Sequence, residues 1–379
     1  MIKEIKNKKL YNFPKNLSKK DYENTVSLIV HEFSRNDMVH SVFLMGDNWL
    51  PGISDIDIIV VYRGITDKNI TLNKRKWPDD LKNIAIDIIE YDIQSFKKIR
   101  LIYPSYYKLN LIYGEDINLN DNLEKISEEE LKILKASFAV DYIINKLFIY
   151  PYSLKGDINV SRQLLILHSF RFTQQLVEEI SGIKINNDFS VKIDLMRKEW
   201  FSLSKEDQEK RIKKCIENSF DFISEIVTNL DSFLRNSFEK KEFREELSFR
   251  PPNLNILGTN KWDTNLFLNS LKHKRIKMPF SGKYLEKYNL IVPNSFFIIF
   301  RIYTKGTGSY SKWFKRFINK NTFKLNVESN GVLERVNAMN SLPKIKDGRL
   351  LTNLTLQYGF NNQPLFKEVI KNKIVNIFT

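Results

Sequence analysis

The chain has 379 residues and a formal net charge of +15, and its 42% hydrophobic and 13% aromatic content predicts a globular protein of two or three domains and excludes a low-complexity chain. The single cysteine, Cys215, excludes an intramolecular disulfide and a cysteine metal cluster, so we expect a reducing compartment. Residues 1–4 are too charged for a signal peptide and no apolar run is long enough to cross a bilayer, which predicts a cytoplasmic protein without a membrane partner.

The first predicted elements are a helix over about residues 18–35 and an apolar strand over residues 39–45 that ends at Gly46. After a polar turn, a second strand opens with Asp55 and Asp57 and continues through apolar residues. Because side chains two apart on a strand share one face, we expect these two carboxylates to point the same way. Charge at the mouth of a buried strand is costly unless it is paired or metal-bound, so the pattern predicts a site for one or two divalent cations. Mg²⁺ suits such oxygen ligands, with Mn²⁺ as its substitute.

A third predicted strand over residues 84–91 carries Asp87 within an otherwise apolar run. A lone charge in such a strand commonly marks an edge position or a strand end. Glu90, where the run gives out, fits that structural interpretation better than Asp87, which is the candidate third carboxylate of the site. A stretch with the order Leu-Ile-Tyr-Gly-Glu-Asp-Ile follows at residues 111–117.

The order Pro-Gly-Ile-Ser-Asp-Ile-Asp at residues 51–57, with the later Asp87 and the stretch at 111–117, resembles the nucleotidyltransferase superfamily of DNA polymerase beta. That superfamily includes aminoglycoside, minimal and CCA-adding nucleotidyltransferases. Its pattern is a strand, Gly-Ser, a short loop and Asp-x-Asp, with a third carboxylate on a later strand. The resemblance implies a nucleotidyltransferase fold of the α+β class, with a mixed sheet and helices. The catalytic and metal-binding residues it implies are Asp55, Asp57 and Asp87, and the nucleotide-binding residues are Gly46, Asp47 and Ser54.

Asp47 departs from the superfamily pattern, in which a serine at this position helps to bind the nucleoside triphosphate. A carboxylate there would repel the phosphates, and the loop to Asp55 is short. An alternative alignment keeps the usual loop length but puts Val42 and Phe43 at the Gly-Ser position, which removes that motif. We prefer the first alignment because the apolar run stops at Gly46. It predicts that Gly46 ends the strand and that Asp47 turns away from the phosphates.

A helical bundle domain is predicted over residues 121–250, after a nucleotidyltransferase domain over residues 1–120. Ser127 and Glu130 form a capping box for a first helix that should end before Pro151. A second helix should run over residues 157–181 and stop at Gly182, and a third should run, with possible breaks, from about residue 204 to about residue 247.

Several other polar side chains are candidates for the site but are not included in its prediction. Arg162 and Arg171 share a helix face near His168 and could reach a triphosphate, although such residues more often form a polar stripe. His40, in the first strand, and Cys215, in a charged helix, are expected to have packing roles.

A third, basic and aromatic-rich α/β domain is predicted over residues 251–379, because two consecutive prolines at its start cannot continue a helix. Residues 261–324 hold 14 Lys and Arg and 2 Asp and Glu, which accounts for +12 of the net charge. Such a region suits RNA as a partner, although a solvated basic face over an aromatic core explains it equally well. Further predictions here are a phosphate-facing glycine turn at 305–309, a buried strand at 296–300, and a core position for Trp313 beside Phe314 and Phe317.

The resemblance implies a metal-dependent transfer of a nucleoside monophosphate from a nucleoside triphosphate such as ATP, with release of pyrophosphate. The acceptor is RNA, a small molecule or a protein. The rival interpretation is a catalytically silent nucleotidyltransferase fold that binds nucleic acid or nucleotide, and the Asp47 departure and the short loop favour it. The three candidate carboxylates favour the enzyme, which we prefer.

Overall fold

The protein has a mixed α/β fold that begins with a mixed four-stranded sheet. The computed structural model describes residues 5–46, 49–65, 77–82, 84–104, 108–119, 123–185, 188–238, 243, 246–251, 254–270, 273–277 and 284–342. The elements up to residue 119 are β1 (Leu10–Tyr11), α1 (Lys19–Ser34), β2 (Val39–Met45), β3 (Ile56–Tyr62), α2 (Asp79–Lys82), β4 (Ile86–Asp92), α3 (Ile93–Phe96), α4 (Ile99–Ile102) and β5 (Leu109–Gly114).

The first sheet has the strand order β4-β3-β2-β5, with β3 and β4 parallel and the other neighbours antiparallel. Alternate side chains of its central strands enter two different apolar clusters, so the sheet is covered on both faces. Ile58 and Val60 pack in the cluster that contains α1, whereas Ile59 and Val61 join the larger cluster that continues into the following helices. This double burial explains why β3 is apolar throughout after its acidic start.

The local signals of this region predicted most of its elements. Helix α1 has the capping box of Ser18 and Asp21, and β2 and β3 lie where the apolar runs placed them. Strand β4 begins two residues later than predicted, at Ile86. The interpretation of Glu90 as a charge at a strand end was wrong. Glu90 lies within β4, is buried, and accepts a 2.6 Å hydrogen bond from the Tyr62 hydroxyl.

The helical region consists of α5 (Glu128–Ser153), α6 (Val160–Ser181), α7 (Phe189–Glu199) and α8 (Lys205–Ser237), with the short strand β6 (Ile158–Asn159) pairing in parallel with β1. Helix α6 ends as predicted at Gly182, which has a left-handed conformation with φ of 69°. Helix α8 begins as predicted after Ser204, whose side chain accepts from the Asp207 amide. Helix α7 was not predicted.

Two predicted helix ends were wrong. Helix α5 continues through Pro151 to Ser153, and the burial of Tyr150 and Leu154 on either side shows that packing retains this last turn despite the proline. Helix α8 stops at Ser237, before the predicted end at about residue 247.

Of the two hydrogen bonds of the predicted capping box at Ser127, the one accepted by the serine side chain forms. The Ser127 hydroxyl accepts from the Glu130 amide at 3.3 Å, as predicted. The Glu130 carboxylate, however, accepts from the Ser329 hydroxyl and, at 2.9 Å, from the Gly331 amide. One acidic side chain therefore satisfies the start of a helix distant in sequence.

The C-terminal region contains β7 (Ser248–Phe249), β8 (Leu254–Thr259), α9 (Thr264–Ser270), β9 (His273–Lys277), β10 (Tyr284–Pro293), α10 (Phe296–Tyr303), α11 (Ser309–Phe317), α12 (Lys320–Phe323) and α13 (Asn330–Asn340). Its sheet has the order β7-β8-β10-β9. The apolar run at 296–300 is a helix rather than the predicted strand. Every residue of the run is buried, and a short run buried on all sides shows no period that separates the two structures.

The glycine turn at 305–309 is packed against α13. A side chain at Gly308 would overlap the Asn340 side chain, whose Oδ1 accepts from the Tyr310 amide at 2.8 Å. The prediction of a turn whose amides face a phosphate is therefore not supported by its packing. Trp313 packs edge-on against Phe249, with ring centroids 5.2 Å apart, as the core interpretation predicted.

A buried polar cluster connects α13, α10 and α5. Arg335 on α13 forms a 2.7 Å ion pair with Asp141 on α5, and both side chains are fully buried. The Tyr303 hydroxyl donates to the same carboxylate at 2.8 Å, and Arg335 Nε donates to the Ile102 carbonyl at 3.1 Å. Among the described residues, no helix combines the length and apolar character needed to cross a membrane.

Candidate functional site

The loop before β3 is held in place by helix α1 and by its own hydrogen bonds. The Tyr22 hydroxyl of α1 donates to the Ser54 carbonyl at 2.5 Å and accepts from the Gly52 amide at 3.1 Å. Ser54 Oγ also accepts from the Leu50 amide at 3.0 Å, which closes the turn from within. Gly52 has φ of 80°, and a side chain there would overlap the Lys15 carbonyl. The loop is therefore tightly packed before any ligand is considered.

Gly46 ends β2 with φ of 75°, a conformation that glycine adopts without strain. Its amide donates to the Lys108 carbonyl at 3.2 Å and its carbonyl accepts from Asn110 Nδ2 at 3.1 Å. Val42 and Phe43, which the alternative alignment places at the Gly-Ser position, are buried in the middle of β2. Asp47, predicted to contact the nucleotide or turn away from it, lies outside the described residues.

The structure brings three acidic side chains together at the start of two parallel strands. Asp57 on β3 and Asp87 on β4 are direct partners in the register, and Asp55 immediately precedes β3. One carboxylate oxygen from each of the three lies within 4.8 Å of the others. Asp55 and Asp57 are half-buried, whereas Asp87, on the edge strand, is exposed. We call these three residues the carboxylate cluster.

The carboxylate cluster is under electrostatic strain. Burial, with the charges of Asp55 and Asp87 as further causes, raises the pKa of Asp57 well above its ordinary value. The pKa of Asp55 is also raised by burial, although its own amide, the guanidinium of Arg197 and the ammonium of Lys146 oppose this rise. The three carboxylates gather negative charge in a small volume, which a divalent cation can neutralise.

Arg197 is the residue of this site that sequence reasoning missed. It lies on α7, is only 3% exposed, and donates from Nη2 to Ser54 Oγ at 3.2 Å. Its Nε is buried and has no hydrogen-bond partner among the described residues. Burial lowers its pKa to about 10, against the pull of Asp55 and Asp194, so it stays charged at neutral pH. The available signal was a cation on the apolar stripe that Ile193 and Trp200 define at helical spacing.

Lys146 is the second cation near the carboxylate cluster. It lies on α5, is half-buried, and its Nζ is 4.8 Å from the centroid of the Tyr142 ring. Its charge opposes the rise in the pKa of both Asp55 and Asp57. Both cations thus come from the helical region, and the charge of each opposes the rise in the pKa of Asp55.

Arg171 and His168 lie in a network with Asp194 that also acts on the pKa of Arg197. Arg171 pairs with Asp194 at 3.0 Å. The pKa of His168 is lowered to about 3, first by burial and then by Arg197 and Arg171, so its 3.5 Å approach to Asp194 involves a neutral ring. Arg162 loses some basicity through burial, which lowers its pKa.

His40 and Cys215 have the packing roles predicted for them. His40 is buried, with Nδ1 2.6 Å from Ser41 Oγ, and Cys215 lies 3.8 Å from the Met196 sulfur. Burial raises the pKa of the Cys215 thiol to about 11, which makes it a poor nucleophile.

Comparison with family models, with curated proteins and with solved structures finds no match for this chain. Any functional interpretation must therefore come from the carboxylate cluster, the cations beside it and the sheet that carries them.

Proposed function

We propose that this protein is a metal-dependent nucleotidyltransferase of the DNA polymerase beta type. The observation that carries the proposal is the carboxylate cluster, with oxygens of Asp55, Asp57 and Asp87 within 4.8 Å of one another. Its position on a mixed sheet, after a strand that ends at a left-handed glycine, supports the nucleotidyltransferase fold. A nucleoside triphosphate such as ATP is the proposed substrate.

The donor set of the cluster fits Mg²⁺ or Mn²⁺, because hard cations of this kind prefer carboxylate oxygens. A divalent cation bound there supplies positive charge that stabilises the entering and leaving oxygens of an in-line displacement. The chain itself supplies Asp55 and Asp57 from a loop and strand that packing holds in place, and Asp87 from an exposed edge. Asp87 is the exposed carboxylate of the cluster, and we assign to it the contact with an incoming acceptor.

In the proposed reaction, an acceptor oxygen attacks the α-phosphorus of the nucleotide. The bond from that phosphorus to its bridging oxygen breaks, and pyrophosphate leaves with the electron pair. The acceptor proton passes to a carboxylate oxygen of Asp87, which acts as general base. Positive charge from Arg197 and Lys146 supports this arrangement by offsetting part of the negative charge that gathers at the site.

The test is transfer of label from α-labelled nucleoside triphosphates to RNA, protein or small molecules in the presence of Mg²⁺. Asp55→Asn and Asp57→Asn should each lower transfer strongly. The loss in each variant should exceed the loss of about 10–100-fold that is typical when a residue only supports a metal ligand. Asp79→Asn, which alters an exposed carboxylate paired with Lys82, is the matched control and should retain activity. Transfer that survives in both cluster variants would refute the mechanism. Nucleotide binding without transfer to any acceptor would favour the silent, binding-only protein.

We propose RNA as an acceptor because α11 presents exposed basic residues. Lys312, Lys315 and Arg316 are all exposed on this helix. If they contact the RNA backbone, the log of the RNA affinity should fall by about 0.7 per unit of log salt for each phosphate contact.

Replacing all three basic residues of α11 with Ala should flatten the salt dependence and weaken binding to all sequences alike, measured by fluorescence anisotropy. Trp313→Ala should chiefly lower stability, since the ring packs against Phe249. Undetectable or salt-insensitive binding of RNA by the intact protein would transfer the proposal to a small-molecule or protein acceptor.

A further inference from the structure

The three members of the carboxylate cluster are held in place by different means. Asp57 and Asp87 lie within β3 and β4, where they are partners in the register of the parallel pair. Backbone hydrogen bonds of the sheet therefore fix the positions of both. Asp55 precedes β3, and the chain joins the sheet only at the Ile56 amide, which donates to the Ala85 carbonyl at 2.9 Å. The position of Asp55 thus depends on the turn that precedes it.

That turn is built around Ser54. Its Oγ accepts from the Leu50 amide at 3.0 Å, and its carbonyl accepts from the Tyr22 hydroxyl at 2.5 Å. The amides of Ile53 and Ser54 both donate to the Leu50 carbonyl at 2.9 Å, which closes the same turn. Because Asp55 is the next residue, a movement of Ser54 also moves the backbone of Asp55.

Arg197 adds a contact to this turn from a distant part of the chain. It lies on α7 and donates from Nη2 to Ser54 Oγ at 3.2 Å, and the Phe201 ring, just after the same helix, lies close to Gly52. The guanidinium is almost fully buried, and its Nε has no hydrogen-bond partner among the described residues. Burial of an incompletely paired charge destabilises a fold, and such departures from good packing are typical of functional sites.

Two effects of Arg197 on a cation in the cluster have opposite signs. Its positive charge repels a divalent cation, so through charge alone its removal should strengthen binding. Its hydrogen bond to Ser54 Oγ holds the turn before Asp55, so through position alone its removal should weaken binding. Replacing a residue that holds a metal ligand in this way typically costs about 10–100-fold in metal affinity. Only the positional effect requires the Ser54 hydroxyl, which makes the two effects separable by experiment.

We propose that Arg197 is a positioning residue for Asp55, and that it acts through the Ser54 hydroxyl to hold this carboxylate in the geometry that binds a divalent cation. This inference rests on the proposed function and adds to it a residue of the helical region. The carboxylate cluster then reaches its full cation affinity only when α7 is docked against the turn at residues 50–54. The other two members of the cluster, which the sheet holds, do not need this support.

The experiment measures Mn²⁺ binding to the full chain, by electron paramagnetic resonance of the free ion, in a double-mutant cycle of Arg197→Met and Ser54→Ala. The loss of positive charge is the same in both backgrounds, so the cycle cancels it and leaves the effect that needs both side chains. The ratio of Mn²⁺ affinities with and without Arg197 should be about ten-fold larger when Ser54 is present than in Ser54→Ala. Equal ratios in the two backgrounds overturn the inference.

Ser190→Ala is the matched control for Ser54→Ala. Ser190 lies on the same helix as Arg197, is half-buried, and donates from its hydroxyl to Gln174 Oε1 on α6. Replacing Arg197 should change Mn²⁺ affinity by the same factor in the Ser190→Ala background as in the wild type. A coupling with Ser190 as large as that with Ser54 would mean that Arg197 only stabilises α7, and would also overturn the inference.

Arg197→Lys provides a second route if Arg197→Met does not fold, because lysine keeps the charge but lacks the planar group of donors. It should weaken Mn²⁺ binding when Ser54 is present and have little effect in Ser54→Ala, and equal effects again overturn the inference. Absence of Mn²⁺ binding in the wild type and in every variant refutes both this inference and the proposed function. The expected coupling without transfer to any acceptor refutes the proposed function alone. Transfer together with Mn²⁺ binding that shows no coupling refutes this inference alone.

Discussion

Asp57 carries a cost in stability beside its proposed chemical role. Burial, together with the charges of Asp55 and Asp87, raises its pKa in the folded protein. An acid whose pKa is raised by folding stabilises the folded state at low pH, where it is protonated in both states. This contribution is lost as the pH rises from the unfolded value near 3.8 to the raised folded value.

We predict that Asp57→Asn makes the metal-free protein more stable than the wild type at neutral pH, and that this advantage shrinks toward about pH 4. The amide keeps the shape of the side chain but cannot ionise. Urea unfolding in a chelating buffer across this pH range measures the difference. Asp79→Asn should show the opposite sign, because Lys82 lowers the pKa of Asp79. If the difference in unfolding free energy between Asp57→Asn and the wild type stays constant with pH, the pKa of Asp57 is not raised in the folded state.

At the scale of elements, the loop before β3 depends on backbone conformation as much as on side chains. Gly46 and Gly52 both have positive φ, but their surroundings differ. Among the described residues, a side chain at Gly46 would meet no atom within 4 Å, whereas one at Gly52 would overlap the Lys15 carbonyl and lie 3.0 Å from the Phe201 ring. The loop is thus wedged against the N-terminal segment on one side and the end of α7 on the other.

Gly46→Ala should cost about 1–2 kcal/mol of unfolding free energy, the usual penalty for a left-handed residue with a side chain. Gly52→Ala should cost clearly more, because backbone must also move, and should weaken Mn²⁺ binding in the presence of nucleotide. Gly182→Ala, with positive φ and open surroundings at the end of α6, is a control that should behave like Gly46→Ala. Equal costs for Gly46→Ala and Gly52→Ala would show that the loop yields easily.

Elements whose signal lies in neighbouring residues were predicted from the sequence. Features that depend on burial in the folded protein were not. The capping box at Ser18 and the apolar run before Gly46 depend on neighbouring residues, so α1 and β2 were predictable. The carboxylates were predictable for the same reason, since strand alternation links Asp55 to Asp57. The position of Arg197 was not predictable, because it arises from the docking of a helix far along the chain against Ser54. The helix at 296–300 was missed because complete burial removes the periodic signal.

At the scale of the molecule, the buried Arg335–Asp141 pair joins segments that are distant in sequence. Arg335 also bonds to the carbonyl of Ile102, next to the first sheet, and Tyr303 adds a further hydrogen bond to Asp141. Removing one member of such a pair leaves the other charge buried and uncompensated. The apolar core follows the same path, since one continuous cluster includes residues of all these segments.

Arg335→Met and Asp141→Leu should each cost about 3–5 kcal/mol of unfolding free energy, and the double variant should cost less than their sum. Urea unfolding measures these values, and hydrogen exchange should show that the three segments lose protection together. Arg171→Met, which breaks a pair that is partly exposed, should cost no more than about 1 kcal/mol. Additive costs in the double variant would mean that the two charges act independently.

The packing of the loop has an optical consequence. Trp49 lies in the segment that leads to Asp55, and its ring centroid is 5.7 Å from that of Tyr22, the residue whose hydroxyl holds Gly52 and Ser54. At this separation the phenol passes excitation efficiently to the indole, and the half-buried indole responds to the polarity around it. The protein therefore carries an intrinsic fluorophore in the segment that leads to the carboxylate cluster, and comparison with Trp49→Phe would separate its emission from that of the other tryptophans. A change in the packing of this loop becomes measurable without any attached dye.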